Sequence, residues 1–201
     1  MFDNVLVYLA GKIRKNDWRS AIVTDIRSIA SGTDYILSDH TVKTIINSLW
    51  VSGPFFISCD HGCYHGDQSH GVGAGGCGCC GEGRGVPASV VTKVCQRQID
   101  RSNFVFAYIE DETCFGTLCE IGYAIGKGIP VTVLFSSHEI RTKMWFIAEI
   151  ANIELSISED EFRGKEIIML RSNVEDLNVN RVSLDIADEL LLYKEKEEKR
   201  K

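Results

Sequence analysis

One carboxylate in this 201-residue chain stands in a setting suited to covalent chemistry. Glu120 closes the run Glu110-Asp111-Glu112-Thr113-Cys114-Phe115-Gly116-Thr117-Leu118-Cys119-Glu120, which follows the apolar stretch Phe104 to Ile109. Leu118, Ile121 and Ala124 have the spacing of a core-facing helix stripe, so Glu120 falls in the first turn or two of a helix. Gly116 and Thr117 let a ligand approach the helix N-terminus, whose free amides favour anions and sugar hydroxyls. A carboxylate there can attack the anomeric carbon of a sugar and form a covalent glycosyl intermediate. A Glu at this position also serves simply to complement the helix dipole, and spacing alone does not separate the two roles.

A second cluster lies upstream. Between Gly53 and Gly85 stand eleven of the eighteen glycines, together with Cys59, Cys63, Cys77, Cys79 and Cys80 and with His61, His65 and His70. Such glycine density predicts a long loop, and long loops inside compact domains are functional or disordered. One reading is a structural zinc held by Cys59, Cys63, Cys77, Cys79 and Cys80 or by the histidines, although the spacing matches no standard finger. Another is a substrate lid in which backbone amides meet a phosphate and His61 or His65 contacts a nucleotide. A disordered insertion with exposed thiols is the plain alternative.

These residues need elements to position them. Val5 to Ala10 reads as a buried strand ended by Gly11-Lys12, and Lys12 is a candidate phosphate contact or an ordinary surface lysine. Asp17 can cap a helix from Trp18 to Ala30. Short elements are expected at Tyr35 to Leu37 (strand), Thr41 to Leu49 (a helical turn or two) and Phe55 to Ser58 (a core strand). A helix is predicted from Ala88 to Ile99. The continuous apolar run Phe104 to Ile109 predicts a parallel strand covered on both faces. A helix from Leu118 to Gly126, the stop Lys127-Gly128-Ile129-Pro130 and a strand from Val131 to Phe135 complete a β-loop-α-β unit. A helix from His138 to Ile150, a strand at Glu166 to Leu170 and a closing helix from Val182 to Lys196 follow. The fold class expected is α/β, and in a parallel sheet ligands sit beyond the carboxyl ends of the strands.

Composition sets the limits. The chain is 44% hydrophobic, which suffices for the core of a single domain over residues 1–201. No apolar run approaches the ~20 residues that span a bilayer, and no export signal is evident at the N-terminus, so a cytoplasmic protein without membrane contact is expected. A net charge of −6 argues against broad nucleic-acid binding and leaves a small nucleotide ligand open. With eight cysteines and no export signal, reduced thiols or a metal site are expected over disulfides.

The run Gly116-Thr117-Leu118-Cys119-Glu120-Ile121-Gly122-Tyr123-Ala124, continued by Gly128-Ile129-Pro130-Val131, resembles the nucleoside 2-deoxyribosyltransferase family, and Val7-Tyr8-Leu9-Ala10-Gly11 resembles its first strand and turn. The segments Gly53-Pro54-Phe55-Phe56 and His61 to Gly66 are similar to stretches of bacterial members. The resemblance spans residues 5–135. It implies a flavodoxin-like sheet with helices on both faces, Glu120 as nucleophile, Tyr8 as the hydroxyl that orients it, no cofactor for the chemistry and a homo-oligomer in which a residue such as Asn152 serves a neighbouring subunit. Two family carboxylates fall on Cys114 and Cys95. Thiols are poor replacements for carboxylates at neutral pH. Asp111 or Asp100 is then the candidate to assist the leaving base, with Asp111 preferred for its place at a strand's carboxyl end. Expected is N-glycosidic cleavage of a nucleoside or nucleoside 5′-monophosphate, by hydrolysis or by transfer to another base. Gly11, Lys12, His61, His65, Gly116 and Thr117 are the expected substrate contacts. The alternatives are a non-catalytic nucleotide sensor, which the two cysteines favour, an NAD-cleaving glycohydrolase, and a zinc-dependent interaction module.

Overall fold

Short apolar runs assemble into a seven-stranded sheet in the computed structural model, which describes residues 5–12, 18–23, 42–43, 49–54, 88–160, 164–175 and 177–199. The strands are β1 (Leu6–Gly11), β2 (Val42–Lys43), β3 (Trp50–Ser52), β4 (Phe104–Ile109), β5 (Val131–Phe135), β6 (Ile153–Asp160) and β7 (Gly164–Ser172), in the order β2-β3-β1-β4-β5-β6-β7. Every junction from β3 to β6 is parallel, and only the outer pairs β2–β3 and β6–β7 are antiparallel. All residues of β4 and β5 are buried, as parallel strands covered on both faces must be.

The helices are α1 (Ala88–Arg101), α2 (Phe115–Gly126), α3 (His138–Lys143), α4 (Trp145–Ile150) and α5 (Leu177–Glu198), with a 3₁₀ turn at Trp18–Ala21. Strand alternation divides the core in two. Tyr8, Ala10, Val105, Ala107, Val131 and Val133 face Val94 and Ile99 of α1, Ile121 and Ala124 of α2 and Ala148 of α4. Val7, Leu9, Phe104, Phe106 and Leu134 face Trp18, Ile22 and the Val182, Ile186 and Leu190 stripe of α5. The protein is thus an α/β structure with helices on both sides of a mixed, mostly parallel sheet. Among the described residues no helix is long and apolar enough to cross a membrane.

β1, β4 and β5 lie where their apolar runs predict. Elsewhere the structure corrects the sequence reading. Val42–Lys43 is a strand, not a helical turn, because it pairs with β3. β3 ends at Ser52 and pairs with β1, ahead of the predicted Phe55 to Ser58 strand. β6 was not predicted, and the expected 138–150 helix is broken at Met144 into α3 and α4. α2 begins three residues earlier than expected, at Phe115, and α5 begins at Leu177. α2 stops at Lys127-Gly128, where Gly128 takes φ 73°, a conformation that suits glycine. The predicted elements at 24–30, 35–37 and 55–58, and the glycine-rich loop beyond Pro54, lie outside the described residues.

Candidate active site

Glu120 is the sixth residue of α2. Its neighbours Ile121 and Ala124 are fully buried against the sheet, and Thr117 is 3% exposed, so the helix is clamped with one flank at the carboxyl edge of β1 and β4. Tyr8 alternates onto that face of β1. Its hydroxyl donates to Glu120 Oε1 at 2.5 Å, a contact that joins residues 112 apart in the chain and has the length of a charge-assisted bond. Burial raises the Tyr8 pKa well above 10, helped by the Glu120 charge, so Tyr8 remains a donor.

The same burial pushes Glu120 up to about 7, against the pull of the Tyr8 hydroxyl, the Arg19 charge and the Cys95 thiol. Glu120 nevertheless keeps part of its surface accessible. A carboxyl closely surrounded by protein yet reachable from outside is placed to switch between acid and nucleophile near neutral pH.

Cys95 of α1 adjoins both groups. Burial first, and then the Glu120 charge, push its thiol to about 12, so it stays neutral. Below the strand end lies Arg19, fully buried. Its Nε and Nη2 donate to Leu9 O at 3.1 and 3.0 Å, and Nη2 also reaches Gly11 O at 2.8 Å. The guanidinium lies 4.8 Å from the Trp18 ring centroid. Trp18 in turn fills the space over Gly11, where any Cβ would come within 2.7 Å of the indole nitrogen. Gly11 is therefore required for close packing, a role different from the substrate contact expected of it.

The rim of the site is ionic. Lys12 Nζ donates to Asp111 Oδ2 at 2.9 Å and to Thr113 Oγ1 at 2.8 Å, and Asp111 Oδ1 accepts from Thr113 N and Oγ1. The Thr113 bonds, with Lys12 adding to them, hold Asp111 down at about 2. An acid this strong carries no proton at neutral pH, so Asp111 does not fit the role of proton donor to a leaving base. The flanking acids are latched alike: Glu110 to Lys194 of α5 at 3.3 Å and Glu112 to Lys143 of α3 at 2.5 Å. Three consecutive carboxylates after β4 are thus each met by a lysine from a different element.

Other expectations are relocated. Asp100 accepts from Tyr123 and pairs with Lys127 on the exposed side of α1 and α2. Asn152 Oδ1 accepts from Val131 N at 2.8 Å and ties β5 to β6 within its own chain. Cys114 is 4% exposed, its thiol pushed up by burial, and it caps α2 with no side-chain bond. Gly116 is exposed, with open space where a side chain would stand. His61, His65, Cys59, Cys63, Cys77, Cys79 and Cys80 lie outside the described residues, and among the described residues no group of three or more His, Cys, Asp or Glu is arranged to hold a metal ion.

The structure therefore joins Tyr8 to Glu120 and Lys12 to Asp111. It brings in Cys95, which the resemblance aligns with a family carboxylate, and adds Arg19, which the sequence does not single out. Cys95 shares its helix face with Val94 and Ile99, a periodicity visible in the sequence; Arg19 carries no such signal. No family model matches the chain, nor does any curated protein or solved structure.

Proposed function

We propose that this chain cleaves the N-glycosidic bond of a nucleoside or nucleoside 5′-monophosphate with Glu120 as nucleophile. The observation that carries the proposal is the Tyr8–Glu120 contact between β1 and α2, the helix that follows the carboxyl end of β4 in a parallel sheet, with the carboxyl half-titrated near pH 7. The order β3-β1-β4-β5-β6 of the parallel strands supports a flavodoxin-like arrangement, in which ligands bind beyond the carboxyl ends of the strands. The nucleoside 2-deoxyribosyltransferase resemblance assigns the same two residues the same two roles.

Tyr8 holds Oε1, and Oε2 is the attacking oxygen. The new bond forms between Oε2 and C1′ as the C1′–N bond breaks, and the electron pair departs with the base nitrogen, which takes a proton. Water then attacks C1′, the ester bond breaks, the carboxylate is regenerated and the water's proton is released. A second base in place of water gives transfer. Two inversions retain the anomeric configuration.

The proton for the leaving base is not held by Asp111, and the raised thiols of Cys95 and Cys114 are too weak as acids to supply it. None of these three groups fits that role, and His61 and His65, the expected substrate contacts, lie outside the described residues. This observation also favours the second reading, an NAD-cleaving glycohydrolase, because a cationic nicotinamide departs without protonation. Exposed Phe115, Trp145 and Phe146, 59–70% accessible, suit the homo-oligomer that the resemblance implies.

The deciding experiment is chromatography of a nucleoside, nucleotide and NAD panel after incubation, with and without an acceptor base. Base release by the wild type and none by Glu120→Ala supports the proposal. Full activity in that variant ends it, and nucleotide binding by calorimetry without turnover selects a sensor.

A further inference from the structure

We propose that Arg19 is a positioning residue of this site: its buried guanidinium fixes the carboxyl end of β1 and, through that strand, the contact between Tyr8 and Glu120. The inference rests on the reading of Glu120 as nucleophile. It extends that reading to a residue on the opposite side of the sheet.

A buried guanidinium is costly to desolvate, so one that is fully enclosed must be met by good acceptors. Arg19 finds them in the carbonyls of Leu9 and Gly11, with Lys12 O also in reach at 3.4 Å. These carbonyls belong to the last residues of β1 and the first beyond it. They are the groups that a strand end leaves for water or for a ligand. A planar fork of donors that meets the carbonyls of Leu9, Gly11 and Lys12 fixes where the chain turns out of the sheet, which a single ammonium cannot do.

The fork is itself held in place. Trp18 stacks beneath it and is wedged between Phe106, Tyr108 and Gly11. Tyr8 precedes Leu9 directly, and Lys12 follows Gly11. One anchor therefore sets both polar contacts of β1 with the β4–α2 side: Tyr8 with Glu120 and Lys12 with Asp111. The positive charge also favours the ionised form of Glu120, as does the Cys95 thiol. Among the described residues the groups that act on the Glu120 charge are thus Tyr8 from β1, Cys95 from α1 and, from across the sheet, Arg19 of the 3₁₀ turn.

The test is a carbon-13 titration of the Glu120 carboxyl, assigned by its loss in Glu120→Gln, in wild type, Arg19→Lys, Tyr8→Phe and the double variant. Arg19→Lys keeps the charge and loses the fork. Its Glu120 midpoint is expected to rise by about half a pH unit or more as Tyr8 drifts from its acceptor. The double variant is expected to match Tyr8→Phe alone, since Arg19 acts through Tyr8. An unchanged midpoint in folded Arg19→Lys, or strictly additive shifts, overturns the proposal. Trp18→Phe, which loosens the support under the guanidinium, is expected to shift the midpoint in the same direction by less. Failure of both Arg19→Lys and Trp18→Phe to fold counts against a role specific to the site. The titration needs no substrate, so failure of every nucleoside to react sinks the function and leaves this measurement standing.

Discussion

Two carboxylates of this protein, one on α2 and one on the loop that leads into it, are driven in opposite directions. Glu120, enclosed under α2 against Tyr8, rises to about 7, whereas Asp111, on the rim beside Lys12 and Thr113, falls to about 2. The cause is not proximity to positive charge alone, since Arg19 acts on Glu120 as Lys12 does on Asp111. It is the balance of desolvation against donors. Asp111 accepts from Lys12 and twice from Thr113 in a half-open position, while Glu120 accepts from the Tyr8 hydroxyl and the weak Cys95 thiol in an enclosed one. On the proposed function, acids separated in this way divide the labour: one poised to react and one kept charged to hold a loop.

The largest effect expected from breaking this contrast is loss of the reacting group. Glu120→Gln should lower base release by roughly three orders of magnitude or more, measured as kcat/KM on the best substrate of the panel. Tyr8→Phe should cost on the order of a hundredfold, the scale of losing one aligned donor at a reacting oxygen. In wild type kcat/KM should rise with pH through about 7 as Glu120 ionises. Tyr8→Phe should move that limb to higher pH, because the lost hydroxyl favoured the carboxylate. A pH profile flat from 5 to 8 would contradict the assignment of Glu120 as the ionising nucleophile.

Stability should respond with the opposite sign. The folded protein binds the Glu120 proton more tightly than the unfolded chain, whose ordinary value is 4.5. Folding stability is therefore drained as pH rises from about 4.5 to about 7 and stays reduced above that. Glu120→Gln removes the cost of burying the charge and keeps an acceptor for Tyr8. It should raise stability at pH 8 by about 1–3 kcal/mol and change it little at pH 4.5, as measured by urea unfolding at the two pH values. A variant that is inactive yet more stable is the behaviour of a strained reacting group and not of a helix cap.

How much of this was legible in the sequence depends on the range of the interactions. β1, β4 and β5 could be read because a doubly covered parallel strand has no other composition than a continuous apolar run. β6 carries its own local signal, since Ile153-Glu154-Leu155-Ser156-Ile157-Ser158 alternates with period two. Val42–Lys43 could not, since two residues become a strand only by pairing with β3. At the site, Tyr8 and Glu120 emerged from local patterns and a family resemblance, but their bond, across 112 residues, is tertiary. Asp111 was read by position alone, at a strand's carboxyl end. Its chemistry turned on Lys12 and Thr113, which make it a poor proton donor. No pattern in the sequence marks Arg19; only the fold buries it.

The smallest expected effect concerns the rim. Asp111→Asn leaves the Thr113 amide and hydroxyl an acceptor but removes the charge that Lys12 meets, and with a side chain about one-third exposed the pair is partly screened. Because the folded pKa is depressed, the lost stability is present in full above the ordinary value of 3.8 and disappears as pH falls through about 2. The variant should cost about 1 kcal/mol at pH 7 and progressively less below the ordinary value as pH falls through about 2, and should reduce kcat/KM by less than tenfold. Glu110 and Glu112 keep their own lysines, so two of the three latches on the β4–α2 loop survive. Raising salt to 1 M, where charges a few ångströms apart are screened, should erase most of the difference between variant and wild type. A loss as large as that of Glu120→Gln would mean that Asp111 touches the reacting atoms, and the division between the two carboxylates would have to be redrawn.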